Sequence, residues 1–226
     1  MGRPLKYTAR AKRVRPLFET PDDEFNIQLA RLIVFYEDLR IEVAGAANRE
    51  IEDLDEAGKQ YREMYFVRRA FATVSEISGG LNQINSTDQM RQLKASFSAD
   101  ERRAWDESIR FFNEKGSFIG DQRNLYGGHF LHKTAKFALE KLSPDHVGVI
   151  GIQLNQQLNQ LKRSARVVFK FALELVGIGL TADRENRDVE EFVHESFEIL
   201  TDAMSHATRA IHAVSDHYML RKFGFL

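Results

Sequence analysis

The amino-acid sequence predicts an all-α protein, a bundle of several long helices. The chain of 226 residues is 43% hydrophobic and 29% charged, which is ordinary for a globular domain with one sizeable core. It contains 17 Phe but only 14 Gly and 4 Pro, so it has few turn residues for an all-β design. Apolar residues also recur at alternating steps of three and four, which is the periodicity of an amphipathic helix.

The first 21 residues predict a flexible, disordered basic tail. Six cations precede the first acidic residue, Glu19, and they are Arg3, Lys6, Arg10, Lys12, Arg13 and Arg15. One interpretation is a solvated chain terminus. The other is contact with nucleic-acid phosphates, for which Arg13 and Arg15 are the candidates. This segment lacks an apolar stretch, so we do not expect a signal peptide.

Two long helices are expected after the tail. A helix-start signal at residues 20–23 and apolar positions from Phe25 to Val43 predict the first helix over 24–46. The second is predicted over 50–78. It opens with a cluster of acidic residues, which suits the positive end of the helix dipole, and Gly79 and Gly80 are expected to stop it.

The second half of the chain predicts further helices. Ser98 and Glu101 have the spacing of a capping box, so a third helix is expected over 99–115, with Gly116 and Gly120 loosening the chain beyond it. A fourth is expected to begin beside His129 and to end before residues 143–145. Residues 147–152 are β-branched residues interrupted by two glycines, and they indicate a short extended piece. A fifth helix is predicted from 154 to about 175, and a last long one after Gly179.

The domain organisation predicted from these elements is simple. We find no internal repeat and no low-complexity linker between them. The sequence therefore predicts the basic tail over 1–21 and a single α-helical domain over 22–226.

The sequence lacks the residues that several classes of function require. With no Cys, the chain has no disulfide, no zinc-thiolate site and no thiol nucleophile, which suits a reducing compartment, so we expect a cytoplasmic protein. No apolar run is long enough for a membrane span. Glycine-rich nucleotide loops and the esterase elbow are missing, so no cofactor is expected. Glu191 and His194 match half of a helical di-iron site, but the second copy is missing, so we predict a solvated acidic face and no metal.

Residues 123–129, Arg-Asn-Leu-Tyr-Gly-Gly-His, are the strongest lead to a function. On an unbroken helix Arg123 and His129 would lie about 120° apart, but Gly127 and Gly128 break the helix between them. A histidine in the first turn of the next helix lies beside free backbone N–H groups that bind anions, and the dipole there favours neutral imidazole. Arg123 could bind a phosphate in bidentate fashion. The following residues are basic, with Lys133, Lys136 and Lys141 against one acid, Glu140.

An Arg-Asn pair followed by His after four residues, at a helix junction of an all-α protein, resembles the HEPN superfamily (higher eukaryotes and prokaryotes nucleotide-binding). The resemblance implies a HEPN-like layout over about 24–180, with the helices of 181–226 as an addition. It implies a metal-independent endoribonuclease, in which Arg123 stabilises the phosphate, Asn124 orients it and His129 moves the proton of the ribose 2′-OH. It further implies RNA as substrate, a homodimer, and an antitoxin protein as partner in a toxin–antitoxin or antiviral system. Lys133 and Lys136 would bind the RNA backbone.

Other interpretations of the same residues stay open. Arg187 and Asp188 with His194 form a second match to the pattern, although the acidic residues around it would repel RNA. Arg123 could instead pair with Asp121 or with a neighbouring helix, and His129 could simply begin a helix. The alternative function is a catalytically silent helical homodimer that binds protein or nucleic acid.

Overall fold

The structure, a computed structural model, describes residues 22–47, 56–126, 132–145, 150–154, 165–169, 175–176, 178, 189–215 and 217–218. Within these ranges the helices are α1 (Glu24–Ala47), α2 (Glu56–Asn85), α3 (Asp88–Ala95), α4 (Ala99–Tyr126), α5 (His132–Lys141) and α6 (Val189–Ser215). Two strands, β1 (Ile150–Leu154) and β2 (Ala165–Phe169), pair in antiparallel fashion.

Four long helices form the bundle. Helix α2 packs against α1, α4 and α6, and α6 also contacts both α4 and α1. Glu42, late in α1, accepts a hydrogen bond from Thr73, whereas Arg31, early in α1, pairs with Glu76 farther along α2, so these helices run antiparallel. The predicted all-α bundle is confirmed, and none of the described helices is long and apolar enough to cross a membrane.

The core combines large aromatic side chains with small ones. Trp105 on α4, Phe25 on α1 and Phe112 on α4 are fully buried. Helix α6 contributes buried alanines to the same core, at positions 203, 207, 210 and 213. The indole Nε1 of Trp105 donates a hydrogen bond to Oδ1 of Asn85 at 2.9 Å, which satisfies its polar atom at the end of α2.

The prediction that Gly79 and Gly80 end the second helix is wrong. Helix α2 continues to Asn85, and Gly80 is buried against α1. A Cβ atom on Gly80 would lie 3.1 Å from Cδ2 of Leu32, so the glycine allows the two helices to approach closely. The predicted start of this helix at residues 50–55 lies outside the described part of the chain.

Helix α4 is also longer than predicted, since it runs through Gly116 and Gly120 to Tyr126. Its start was predicted correctly. The backbone N–H of Ser98 donates to the Glu101 carboxylate at 2.7 Å, and the N–H of Glu101 lies 3.2 Å from the Ser98 hydroxyl oxygen, which is a reciprocal capping box. The short α3 was not predicted, although Thr87 caps it by accepting from the N–H of Met90.

The region after α5 differs most from the prediction. Helix α5 ends at Lys141, close to the expected stop, and residues 150–152 are extended as expected. The predicted fifth helix is wrong at residues 165–169, which form β2 and pair with β1. Val167, Val168 and Phe169 are β-branched or aromatic residues that favour strands. Residues 155–164 and 170–174, and the basic tail, lie outside the described ranges.

Candidate functional site

Arg123 lies in the last turn of α4, where a cation interacts favourably with the helix dipole. Its Nη2 atom lies 2.7 Å from Oε1 of Glu76 on α2. The other oxygen of the same carboxylate, Oε2, lies 3.2 Å from Nη2 of Arg31 on α1. One carboxylate thus joins two guanidinium groups and three helices. We call Arg31, Glu76 and Arg123 the arginine cluster.

The arginine cluster carries a formal charge of +1, because it holds two cations and one anion. Arg31 is positioned further by Oε1 of Gln28 at 2.9 Å and by the ring of Phe35 below its guanidinium. Arg123 is less enclosed, with 48% of its side chain exposed. Exposed ion pairs of this kind contribute at most about 1 kcal/mol. The cluster is therefore a modest structural link with a positive charge that faces solvent.

Asn124 is exposed and follows Arg123 directly, so both face solvent at the end of α4. Gln122 before them is buried, and its Oε1 finds no hydrogen-bond partner among the described residues. His129 lies outside the described residues, as do Gly127 and Gly128. The structure describes the Arg-Asn half of the motif, and the position of the histidine stays a prediction.

The other predicted phosphate contacts are described only in part. Lys136 is exposed on α5, and its Nζ lies 3.7 Å from the carboxylate of Glu140 one turn later. The side chain of Lys133, and all of Arg13 and Arg15, lie outside the described residues. Lys141, in the last turn of α5, lies over the ring of Phe137.

The rival motif contains one residue with a described side chain. His194 is exposed on α6, and its Nε2 lies 3.3 Å from Oε1 of Glu198. Arg187 and Asp188 lie outside the described residues. Glu191 falls within α6, but the surroundings of its side chain are not described. No group of three or more potential metal ligands occurs among the described residues.

Three histidines, two on α6 and one just after it, contact neighbouring helices. The ring of His206 stacks on Phe111 of α4 with centroids 4.4 Å apart, and burial lowers the pKa of His206. The Nε2 of His212 lies 3.1 Å from the Tyr36 hydroxyl of α1. His217 contacts Glu101 of α4. These contacts join helices in the bundle, so we assign these histidines a structural role.

The sequence left open that Arg123 pairs with a neighbouring helix, and the structure shows such a pair, but the sequence did not identify the residues that hold Arg123. Glu76 and Arg31 are 47 and 92 positions before it in the chain, and no local spacing connects them. The packing of α1, α2 and α4 was required to bring them together. Comparison with protein-family models, with curated proteins and with solved structures finds no match.

Proposed function

We propose that this chain is a metal-independent endoribonuclease of HEPN type, which acts as a homodimer in the cytoplasm within a toxin–antitoxin or antiviral system. The proposal rests on the Arg-Asn-x4-His motif. The observation that supports it best is the location of Arg123 and Asn124, consecutive and both exposed at the end of α4, where Arg123 belongs to an arginine cluster with a net positive charge.

In the proposed reaction His129 removes the proton from a ribose 2′-OH. The 2′ oxygen attacks the adjacent phosphorus, so a P–O2′ bond forms while the P–O5′ bond breaks. The products are a 2′,3′-cyclic phosphate and a 5′-hydroxyl, because the leaving oxygen takes up a proton from water and His129 returns the proton that it removed to the solvent. Negative charge builds up on the phosphoryl oxygens in the transition state, and Arg123 stabilises it. Asn124 orients the phosphate.

The ion pair with Glu76 is compatible with this role. A guanidinium group has five N–H donors, and the contact with Glu76 is made through Nη2. Donors therefore remain for a phosphate while Glu76 limits the rotation of the side chain. Such positioning lowers the entropy cost of binding the reacting group. Lys133 and Lys136 would bind the RNA backbone next to this site, with Arg13 and Arg15 of the tail as further contacts.

The test is incubation of the purified chain with total RNA in EDTA. Wild type should produce fragments with 2′,3′-cyclic phosphate ends. His129→Ala should lose cleavage by about 10² to 10⁴ in rate, the usual effect of removing a proton carrier, and Arg123→Ala by about 10² to 10³, the usual effect of removing one donor to the transition-state charge. His194→Ala and Arg187→Ala are the controls and should cleave like wild type. Loss of cleavage in the control pair alone would assign the activity to the rival motif.

The second candidate is a catalytically silent binding module. The ion pair between Arg123 and Glu76 favours it, because that contact links α4 to α2 without any substrate. If the chain is such a module, neither wild type nor any variant should produce RNA fragments. The chain should still bind RNA or self-associate, and a mobility-shift assay and light scattering measure these two properties separately.

A further inference from the structure

The outer face of α1 carries an apolar stripe that no other described helix covers. Ile27, Val34 and Ile41 are 38%, 57% and 66% exposed. They are spaced seven residues apart, so they drift by only about 20° per step around the helix and lie on one side of it. β-branched residues at this spacing occupy one of the two apolar positions per seven residues in the contact seam between paired helices.

Charged residues flank this stripe in a self-complementary order. Arg31 and Asp38 are also seven residues apart, and helical geometry places both about 40 to 60° to the same side of the stripe. Ala30 and Glu37 lie on the opposite side by the same geometry. One flank therefore carries a positive and a negative charge at the stripe's own spacing.

We infer that the outer face of α1 binds the same face of a second copy of this chain, with the two α1 helices antiparallel. The inference rests on the homodimer of the proposed function and names its surface. A two-fold axis near Val34 sets Ile27 of each copy against Ile41 of the other. The same axis sets Arg31 of each copy level with Asp38 of the other.

The charges favour the antiparallel arrangement over the parallel one. In a parallel pair the flank with Asp38 would face the flank with Glu37 of the second copy at nearly the same level, which brings like charges together. In the antiparallel pair Glu37 faces Ala30 and keeps its own ion partner Arg40, 2.9 Å away. Asp38 is exposed, and in the antiparallel pair its negative charge lies level with the arginine cluster of the other copy, whose formal charge is +1.

The antiparallel pair has a consequence for the candidate site. Arg31 belongs to the arginine cluster and also flanks the stripe. Because a two-fold axis across the helices keeps Arg31 of both copies on one side of the seam, both arginine clusters lie along the same side of the dimer. The two arginine clusters would then form one positive surface.

Light scattering of the full chain at micromolar concentration tests the surface. Wild type should have the mass of a dimer, and Val34→Glu should be a monomer. The matched control is Leu139→Glu, because Leu139 is an exposed apolar residue on another helix, α5; it should stay dimeric. Asp38→Arg should weaken the dimer by about tenfold or more through like charges facing Arg31, whereas it would strengthen a parallel pair. A monomeric wild type, or a dimeric Val34→Glu, would overturn the inference.

Disulfide cross-linking tests the direction, because the chain contains no Cys and each introduced thiol is the only one. Val34→Cys should form a covalent dimer on mild oxidation. Ile27→Cys should cross-link with Ile41→Cys in a mixture of the two proteins, and neither should cross-link alone, because like positions are about 21 Å apart along the helices. Self-cross-linking of Ile27→Cys would show a parallel pair and overturn the inference.

Cleavage of RNA is measured on the same light-scattering samples. A dimer with the expected cross-links that does not cleave RNA contradicts the proposed ribonuclease and supports the interface. Cleavage by a wild-type monomer contradicts the interface and the homodimer, and supports the ribonuclease activity itself. The two proposals therefore fail separately.

Discussion

The Nε2 atom of His217 lies 2.8 Å from Oε2 of Glu101, which connects the chain just after α6 to the first turn of α4. The same carboxylate closes the capping box with Ser98. The hydrogen bond with His217, followed by those with Ser98, lowers the pKa of Glu101 from 4.5 to about 2. One carboxylate thus serves both as a helix cap and as a contact between two helices.

We predict that Glu101→Gln lowers stability at neutral pH and that its effect fades in acid. A carboxyl with a lowered pKa stabilises the folded state fully above its unfolded pKa, and this contribution is lost as the pH falls from about 4.5 to about 2. Urea unfolding of wild type and variant across this range measures the difference. Asp100→Asn, in the same turn, is the control for removing one charge. A difference for Glu101→Gln that does not change with pH would contradict the prediction.

Glu42 should show the opposite pH dependence. It is buried between α1 and α2, and its Oε1 accepts a hydrogen bond from Thr73 while Oε2 has no partner among the described residues. Burial raises the pKa of Glu42, although Thr73 and Arg69 act against it. Because the folded state favours the protonated form, wild type should lose stability relative to Glu42→Gln as the pH rises above about 4.5. Thermal unfolding in acid and at neutral pH measures this difference in stability. A wild type whose stability relative to Glu42→Gln increases with rising pH would refute the prediction.

Glu76→Gln should strengthen RNA binding. The substitution removes the anion of the arginine cluster, so its formal charge rises from +1 to +2 and Arg123 loses its carboxylate partner. We expect tighter binding of a single-stranded RNA in fluorescence anisotropy and a steeper dependence on salt. The cost in stability should stay below about 1 kcal/mol, as for other exposed ion pairs.

The matched control for this prediction is Glu107→Gln. Glu107 is similarly exposed and pairs with Arg209 at 3.4 Å, between α4 and α6. Glu107→Gln removes one negative charge, as Glu76→Gln does, but at a distance from Arg123. If the two variants change RNA affinity equally, only the net charge of the chain matters. If Glu76→Gln leaves RNA affinity unchanged, Arg123 is not one of the phosphate contacts.

Two adjacent glycines in α2 should respond differently to alanine. Gly79 is exposed, and an added Cβ would meet nothing within 4 Å. Gly79→Ala should therefore stabilise the helix by about 0.5 to 1 kcal/mol. Gly80→Ala should be clearly less stable than Gly79→Ala, because its Cβ would press on Leu32 at 3.1 Å. Chemical denaturation of both variants decides this, and equal stabilisation would mean that Leu32 moves aside freely.

The sequence predicted local features well where the signal was local. The capping box of Ser98 and Glu101 was found because its partners are three residues apart. The role of Gly80 was missed because a glycine that ends a helix and one that allows close packing look alike without the neighbouring helix. Strand β2 was missed because its apolar residues also fit a helical period, and pairing with β1 decided between them.

The candidate site was predictable to a similar extent. The motif drew attention to Arg123 and Asn124, and both lie exposed at a helix end. Glu76, the ion partner of Arg123, lies on another helix, and their contact depends on how α2 and α4 pack. The stripe on α1 was not recognised either, because an apolar position read from sequence does not reveal whether it faces the core or solvent.

The burial of Trp105 makes the chain its own optical reporter. It is the only tryptophan of the 226 residues, so selectively excited fluorescence comes from one place, where the indole contacts the end of α2 through Asn85. Emission from such a shielded ring lies at shorter wavelength than that of a hydrated one. Separation of α4 from α2 would shift the emission to the red and expose the ring to soluble quenchers. Opening of this contact can thus be followed in time without any attached dye.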